Sequence, residues 1–288
     1  MLPNFICPGT QKAATSTLYN ILNQHPDIYL PKKKETHFFD REERFSQGID
    51  WYQEQYYGDV ADETVIGDMT PEYMYLSHIP QRIMDCLGPD IKFIFMLRNP
   101  VDRAFSHYQM SVRRGWEKYP LKKAIKLEEE RVSRGPAEAR NFSYIGRGYY
   151  ALQVERFLAL FPRENMKFVL FEDFIGNMPE TVGDILRFLG VEPCPMDYRI
   201  KSNSAWEPKH PLFTKVKKTM QSLMPEPLKK YVPDHMKRKW LHLDKKKSNK
   251  KIDPALRLQL TDMYADDIKK LEGLTGKDLS NWLTAGSA

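Results

Sequence analysis

Residues 8–17 read PGTQKAATST, a loop of small residues between a short apolar run and the start of an amphipathic stretch. A strand, such a loop and a helix start together make an anion site. Free amide N–H groups and the positive end of the helix dipole point at one ligand. Lys12 adds a charge, and Thr15, Ser16 and Thr17 add hydroxyl donors. The loop that holds nucleoside triphosphates needs Gly, four residues, then Gly-Lys and Ser or Thr. Here Lys12 follows Gly9 by only three positions, and Ala13 and Ala14 precede the hydroxyls. A capped helix with an incidental lysine is the other reading.

A second anion element is MLRNPVDRAFSHY, residues 96–108. Arg98 ends an apolar run, and Asn99-Pro100 starts a helix, which puts Ser106 about two turns in. A guanidinium at a strand end and a hydroxyl on the next helix can converge on a phosphate, the arginine giving a two-pronged contact. A surface arginine would read the same way. Together the two elements suit a nucleoside carrying phosphate at both ends, held at the carboxyl ends of neighbouring parallel strands. The third stretch is KKKETHFFD, residues 32–40. Glu35 is followed by His37, Phe38 and Phe39, and an apolar setting of that kind would raise a carboxylate pKa towards working pH. A solvated turn is the alternative. His37 reads as an orienter, an acceptor contact or a structural imidazole, and His107 as a packed or surface residue.

Around these residues the first 200 positions alternate as in an α/β protein. Apolar runs at 4–9, 64–68, 92–98 and 166–172 read as strands buried on both faces of a mostly parallel sheet. Helical periodicity falls at 15–24, 77–88, 101–115, 148–162, 179–190 and 253–276. The fold class expected is therefore α/β, a central mostly parallel sheet flanked by helices with a phosphate loop after its first strand. The whole chain, 1–288, reads as one domain: 204–253 is a basic, mainly helical insertion, and 254–283 a C-terminal helix and tail.

The chain is 41% hydrophobic and 28% charged, with a net charge of +6. The stretch from Trp206 to Lys251 carries 14 Lys or Arg against 4 Asp or Glu, so the remainder is slightly acidic. Such a run is either a solvated face or one that attracts an anionic ligand. No apolar run reaches a membrane span, and no signal peptide is legible. The three cysteines, Cys7, Cys86 and Cys194, form neither a disulfide framework nor a zinc pattern. These features lead to the expectation of a cytoplasmic protein, a trimmed Golgi-lumenal fragment being the other reading.

Four spaced motifs resemble the PAPS-dependent sulfotransferases, and among them the heparan sulfate 3-O- and N-sulfotransferases with their bacterial relatives. PAPS is 3′-phosphoadenosine 5′-phosphosulfate. Gly9, Lys12, Ala14, Thr15 and Leu18 match the family's phosphosulfate loop, and Arg98 with Ser106 match its 3′-phosphate motif. NQHPDIYLPKKKETHFFD (23–40) and YADDIKKLEGLTGKDLSNW (264–282) are similar to its base segment and its ending. The resemblance implies that Gly9, Thr10, Gln11, Lys12, Ala13, Ala14, Thr15, Ser16, Thr17, Arg98 and Ser106 bind the donor. It implies Glu35 as base and Lys12 as the cation at the leaving phosphate, with His37 beside them. Arg147, Gly148 and Tyr149 would line the nucleotide, core packing being the other role for Tyr149, and Lys201 and Asn203 would close over it. Lys34, Asp68 and Thr70 would meet the acceptor. The family's Glu-Lys-Ser/Thr-Pro is replaced by Asp68-Met69-Thr70-Pro71, so a cation is missing at Met69, and Lys32, Lys33 or Lys34 would take its role.

What the resemblance implies is in-line sulfuryl transfer from PAPS, without a metal, to a hydroxyl or amine, most directly of a carbohydrate resembling a glycosaminoglycan. A lipid or small alcohol is the alternative acceptor. A P-loop kinase would need the missing Gly-Lys-Ser/Thr. A nucleic-acid binder would interleave aromatics with the basic run, where only Trp206, Phe213, Tyr231 and Trp240 occur. No nucleic-acid partner is expected.

Overall fold

A computed structural model of the chain describes residues 1–199 and 251–284, together with the backbone of 206–208 and 245–247. The apolar runs form five parallel strands: β1 (Phe5–Gly9), β2 (Ile28–Tyr29), β3 (Val65–Asp68), β4 (Lys92–Leu97) and β5 (Met166–Leu170). Their order is β2-β3-β1-β4-β5, so β1 is central and the chain switches direction across it. Four strands fall where the apolar runs predict them. The edge strand β2 does not, because two residues carry no periodicity to read.

Both faces of the sheet are covered, and β4 shows why its sequence is continuously apolar. Phe93, Phe95 and Leu97 enter one core while Ile94 and Met96 enter the other. Alternate residues of a strand point to opposite faces, so a strand buried twice has no polar positions.

The helices are α1 (Thr15–Leu22), α2 (Glu42–Phe45), α3 (Gly48–Tyr57), α4 (Ile79–Leu87), α5 (Pro100–Arg114), α6 (Leu121–Lys126), α7 (Glu128–Val132), α8 (Pro136–Phe142), α9 (Tyr150–Leu158), α10 (Phe171–Gly176), α11 (Met178–Leu189) and α12 (Pro254–Thr275). Each run of helical periodicity corresponds to one of them. The short α2, α6, α7, α8 and α10 bury too few residues to leave a stripe, and in α3 three tyrosines do the packing. Of the basic region, a two-stranded antiparallel ribbon is described, β6 (Trp206–Pro208) with β7 (Lys245–Lys247). The expectation of a mainly helical insertion otherwise lies outside the described residues.

The C-terminal elements pack behind the strand ends that matter. On α12, Tyr264 is fully buried and its hydroxyl donates to the Ile145 carbonyl at 2.8 Å. Trp282, also buried, sets its ring 6.2 Å from that of Tyr150, whose hydroxyl holds the Arg98 carbonyl at 2.9 Å. Gly148 permits this closure, because a Cβ there would lie 2.5 Å from the Tyr264 oxygen. Gly148→Ala should therefore overpack a rigid contact and lower stability by about 1–3 kcal/mol, read from denaturant unfolding; an unchanged midpoint would contradict the packing.

Candidate active site

The loop after β1 is built by close approach and by left-handed backbone. A Cβ on Gly9 would lie 2.7 Å from the Met74 Cβ, so this glycine is demanded by packing against the segment after β3. Thr10 donates its N–H to the Met96 carbonyl at 2.7 Å and its hydroxyl to the Met74 sulfur at 3.2 Å. Ala13 is buried and its N–H closes a turn on the Thr10 carbonyl at 3.1 Å. Lys12 and Ala14 then take φ of 78° and 64°. Neither is glycine, and such positions cost about 1–3 kcal/mol each and cluster where function holds them. The turn delivers the chain into α1 with Thr15 and Thr17 buried and Ser16 exposed.

Arg98 joins this loop to the second anion element. Its guanidinium donates to the Lys12 carbonyl at 3.0 Å and lies 4.3 Å over the Phe171 ring. Asn99 caps α5, its side chain accepting from Val101 N–H at 3.0 Å and Asp102 N–H at 3.3 Å. Two turns on, Ser106 is half-buried. Burial, reinforced by the positive field of Arg113, Arg98, Arg114 and Arg103, lowers the Lys12 ammonium to about 8. So much positive charge around one lysine is unfavourable unless an anion arrives.

The base segment is held from beneath by a buried carboxylate. Asp68, at the end of β3, is fully buried and accepts four hydroxyls. Thr36 donates at 2.6 Å, Tyr52 and Thr70 at 2.7 Å, and Tyr73 at 3.0 Å. The Tyr73 oxygen also accepts the N–H groups of Phe38 and Phe39, at 3.0 and 3.3 Å. Burial raises the Asp68 pKa against the pull of these donors. Asp68 and Thr70, expected to meet an acceptor, are instead fully buried, and they tie the end of β3 to the turn that carries Glu35.

Glu35 and His37 have φ of 69° and 52°, a second pair of left-handed non-glycine residues. This backbone sends Phe38 and Phe39 into the core, where Phe38 stacks on Tyr52 with centroids 4.2 Å apart. Glu35 stays with polar neighbours: Lys34 Nζ at 2.8 Å and His37 Nε2 at 3.5 Å. His37 Nδ1 lies 3.0 Å from both carboxylate oxygens of Asp40. The expected rise in the Glu35 pKa is corrected by this geometry. Burial does push it up, but His37 and Lys34 outweigh burial and bring it down to about 2. Burial lowers His37 while the carboxylates of Asp40 and Glu35 raise it further, to about 9. A pKa raised to about 9 favours the cationic imidazole, which lies between the carboxylates of Asp40 and Glu35.

Lys34, 16% exposed in its side chain, spends its ammonium on Glu35 at 2.8 Å. Its charge also reaches Cys7 of β1, whose thiol burial drives up to about 12. Met69 is packed into the core, and Lys32 is engaged with Asp59 on the surface. Arg147 does not extend to the nucleotide loop: it is buried, bonded to Glu72, and lies 4.4 Å over the Tyr75 ring. Tyr149 packs on Tyr264 with centroids 5.0 Å apart and lines a separate cleft. Lys201 and Asn203 lie outside the described residues. His107 is fully buried with its pKa well below the usual value, because of burial first and Arg103 next, and serves packing. The sequence reading missed Asp40, the hydroxyls of Thr36, Tyr52 and Tyr73, and three of the arginines facing Lys12: Arg103, Arg113 and Arg114. THFFD and DMTPEY contain several of these, but no spacing rule singles them out. Among the described residues, no group of three His, Cys, Asp or Glu stands where it could hold a metal.

The small-residue loop and Arg98 stand at the carboxyl ends of β1 and β4, on either side of the point where the strand order reverses, the usual ligand position of an open parallel sheet. Residues 2–274 match the sulfotransferase domain family, and the chain belongs to it. Heparan sulfate glucosamine 3-O-sulfotransferase 6 of Homo sapiens is 29% identical over 202 residues, 70% of this chain and 56% of its own length. Heparan sulfate glucosamine 3-O-sulfotransferase 3B1 of Homo sapiens is 30% identical over 195 residues, 66% of this chain and 47% of its own. The chain thus spans about half the length of these curated relatives. A solved sulfotransferase from Alicyclobacillus acidocaldarius superposes with a TM-score of 0.73 at 31% identity, covering 99% of this chain and 100% of that one. No helix among the described residues is long and apolar enough to cross a membrane.

Replacing Tyr73 by Phe removes the hydroxyl that links Asp68 to two backbone amides. Stability should fall by about 1–3 kcal/mol in chemical denaturation, the cost of leaving buried polar groups unsatisfied. A neutral result would mean that the hub does not hold the turn.

Proposed function

We propose that the protein transfers the sulfuryl group of PAPS to a hydroxyl or amine of a carbohydrate acceptor. The observation that carries this reading is the bond from Arg98 to the Lys12 carbonyl, which couples two anion sites across the ends of β1 and β4. The positive field on Lys12 calls for a ligand with several negative charges, and the 5′-phosphosulfate and 3′-phosphate of PAPS supply them. The backbone after Gly9 and the start of α1 receive the phosphosulfate, and Arg98 with Ser106 receives the 3′-phosphate.

The step is an in-line displacement at sulfur. The acceptor oxygen forms a bond to sulfur as the bond from sulfur to the bridging phosphate oxygen breaks. Negative charge grows on that oxygen, where the Lys12 ammonium stabilises it. The acceptor proton passes to Glu35. A carboxylate near 2 is a weak base, but it is fully ionised in the working range. The hydroxyl it serves turns strongly acidic once its oxygen bonds to sulfur, so transfer late in the step suffices. His37 and Lys34 hold the carboxylate in place.

Glu35→Gln should lower turnover by about 10²–10⁴-fold while leaving affinity for the product, adenosine 3′,5′-bisphosphate (PAP), unchanged by calorimetry. Full sulfuryl transfer by this variant would refute Glu35 as base. Lys12→Ala should cost about 10²–10³-fold in turnover.

The pH dependence follows from the lowered lysine. Its ammonium is complete below about 8 and is lost as pH rises through that value. PAP affinity should therefore be level at neutral pH and fall above about 8, and Lys12→Arg should move the fall to much higher pH. An identical profile in the arginine variant would assign the titration to another group.

A further inference from the structure

We infer that the surface formed by residues 112–126, the end of α5, the turn after it and α6, docks on an anionic lipid bilayer. This goes beyond the sulfuryl-transfer reading and does not depend on it. The segment carries six Lys or Arg against one acid, Glu117. Five of the cations are exposed, Arg114, Lys118, Lys122, Lys123 and Lys126, whereas Glu117 is buried. Three large apolar side chains stand among them. Val112, Trp116 and Tyr119 are 41%, 40% and 41% exposed.

This exposure is built into the backbone. Gly115 ends α5 with φ of 76°, and the Trp116 N–H turns back to the Ser111 carbonyl at 3.0 Å. The Glu117 carboxylate then accepts the N–H groups of Lys118 and Tyr119, at 2.8 and 2.9 Å. Arg131 holds the same carboxylate at 2.5 Å, and the Tyr144 hydroxyl donates to it at 3.0 Å. The Tyr108 hydroxyl donates to the Tyr119 carbonyl at 3.1 Å. The segment's one negative charge is thereby spent inward, and the turn is fixed with Trp116 and Tyr119 exposed. A surface prearranged in this way loses little entropy on docking.

Charge alone would suit any polyanion, and the apolar side chains decide the class. At a bilayer surface Trp and Tyr settle at headgroup depth, while Lys and Arg meet anionic lipids with their charged ends in water. This segment supplies both. The Arg114 guanidinium lies 4.6 Å over the Trp116 ring and the Lys123 ammonium 4.1 Å over that of Tyr119, which keeps charge and ring together. A nucleic acid would stack its bases on open ring faces, and here a cation already covers one face of each ring. A dissolved polyanion would take the cations and leave Val112 and Trp116 in water. The patch begins within a turn of Met110, whose sulfur lies 3.9 Å from Lys12 Nζ, which places it next to the donor loop.

The test is sedimentation of the full chain with vesicles of phosphatidylcholine alone and with about 30% phosphatidylserine. Partition onto the anionic vesicles should be at least about tenfold higher at about 50 mM salt, and the excess should shrink at about 300 mM. Lys122→Glu together with Lys126→Glu should lower that partition at least about tenfold. Trp116→Ala should lower it about fivefold at either salt, and Trp116→Phe should recover part of the loss. Unfolding midpoints and PAP affinity, by calorimetry, should match the wild-type chain in all of them. No binding to the anionic vesicles, or binding that these substitutions leave unchanged, would overturn the docking surface. So would binding of a single-stranded oligonucleotide through Trp116 and Lys122 in place of vesicles, which would make the patch a nucleic-acid surface. PAP binding by the wild-type chain reports separately on the donor reading, which stands or falls without the vesicle result.

Discussion

Arg98 is the residue on which the site depends. Its backbone leaves β4 at the point where the Tyr150 hydroxyl fixes its carbonyl, and its guanidinium crosses to the carbonyl of Lys12. That crossing holds a lysine in left-handed backbone, a conformation an unconstrained loop would leave. The same guanidinium stays partly available at the end of its strand, supported by the face of Phe171. One side chain therefore sets the distance between two anion sites as well as the pose of the lysine between them. The cost is electrostatic. Burial first, and then four neighbouring guanidiniums, lower the affinity of the Lys12 ammonium for its proton.

The turn that carries Glu35 is organised by a charge of the other sign. Asp68 is buried beyond reach of water, and four hydroxyl donors make that burial tolerable. Through Thr36 and Tyr73 it grips the turn from which Glu35 and His37 project, both again in left-handed backbone. The donor loop and the base turn are thus built alike: strained backbone held by polar contacts from the ends of neighbouring strands. In the proposed transfer, rigidity of this kind lets Glu35 and Lys12 act without reorganising.

Much of this was readable in the residues. The continuous apolar run at 92–97 gave a twice-buried strand, and its place next to β1 followed from the two anion elements, which only adjacent strand ends could join. Glu35, Lys12 and Arg98 stand out in the sequence as candidates, and their roles belong to the proposed transfer. The environment of Glu35 was not, because adjacent phenylalanines in sequence say nothing of which way the backbone turns. Left-handed φ at Glu35 and His37 sends the rings to the core and leaves the carboxylate among charges. Asp68 was misread for a related reason. A carboxylate beside Thr and Pro after a strand looks exposed until tyrosines from 52 and 73 close over it, and those contacts are long-range. The short edge strand and the one- or two-turn helices are set by tertiary packing and leave no periodic signal.

The coupling of the two anion sites is tested most directly by calorimetric titration of the full chain, in the presence of a chelator, with PAP, adenosine 5′-monophosphate and ATP. PAP should bind at least about 100-fold more tightly than the monophosphate, since both sites must be filled together, and ATP should bind weakly. Equal affinity for PAP and the monophosphate, or tight binding of ATP alone, would contradict a site built for phosphate at both ends of a nucleoside.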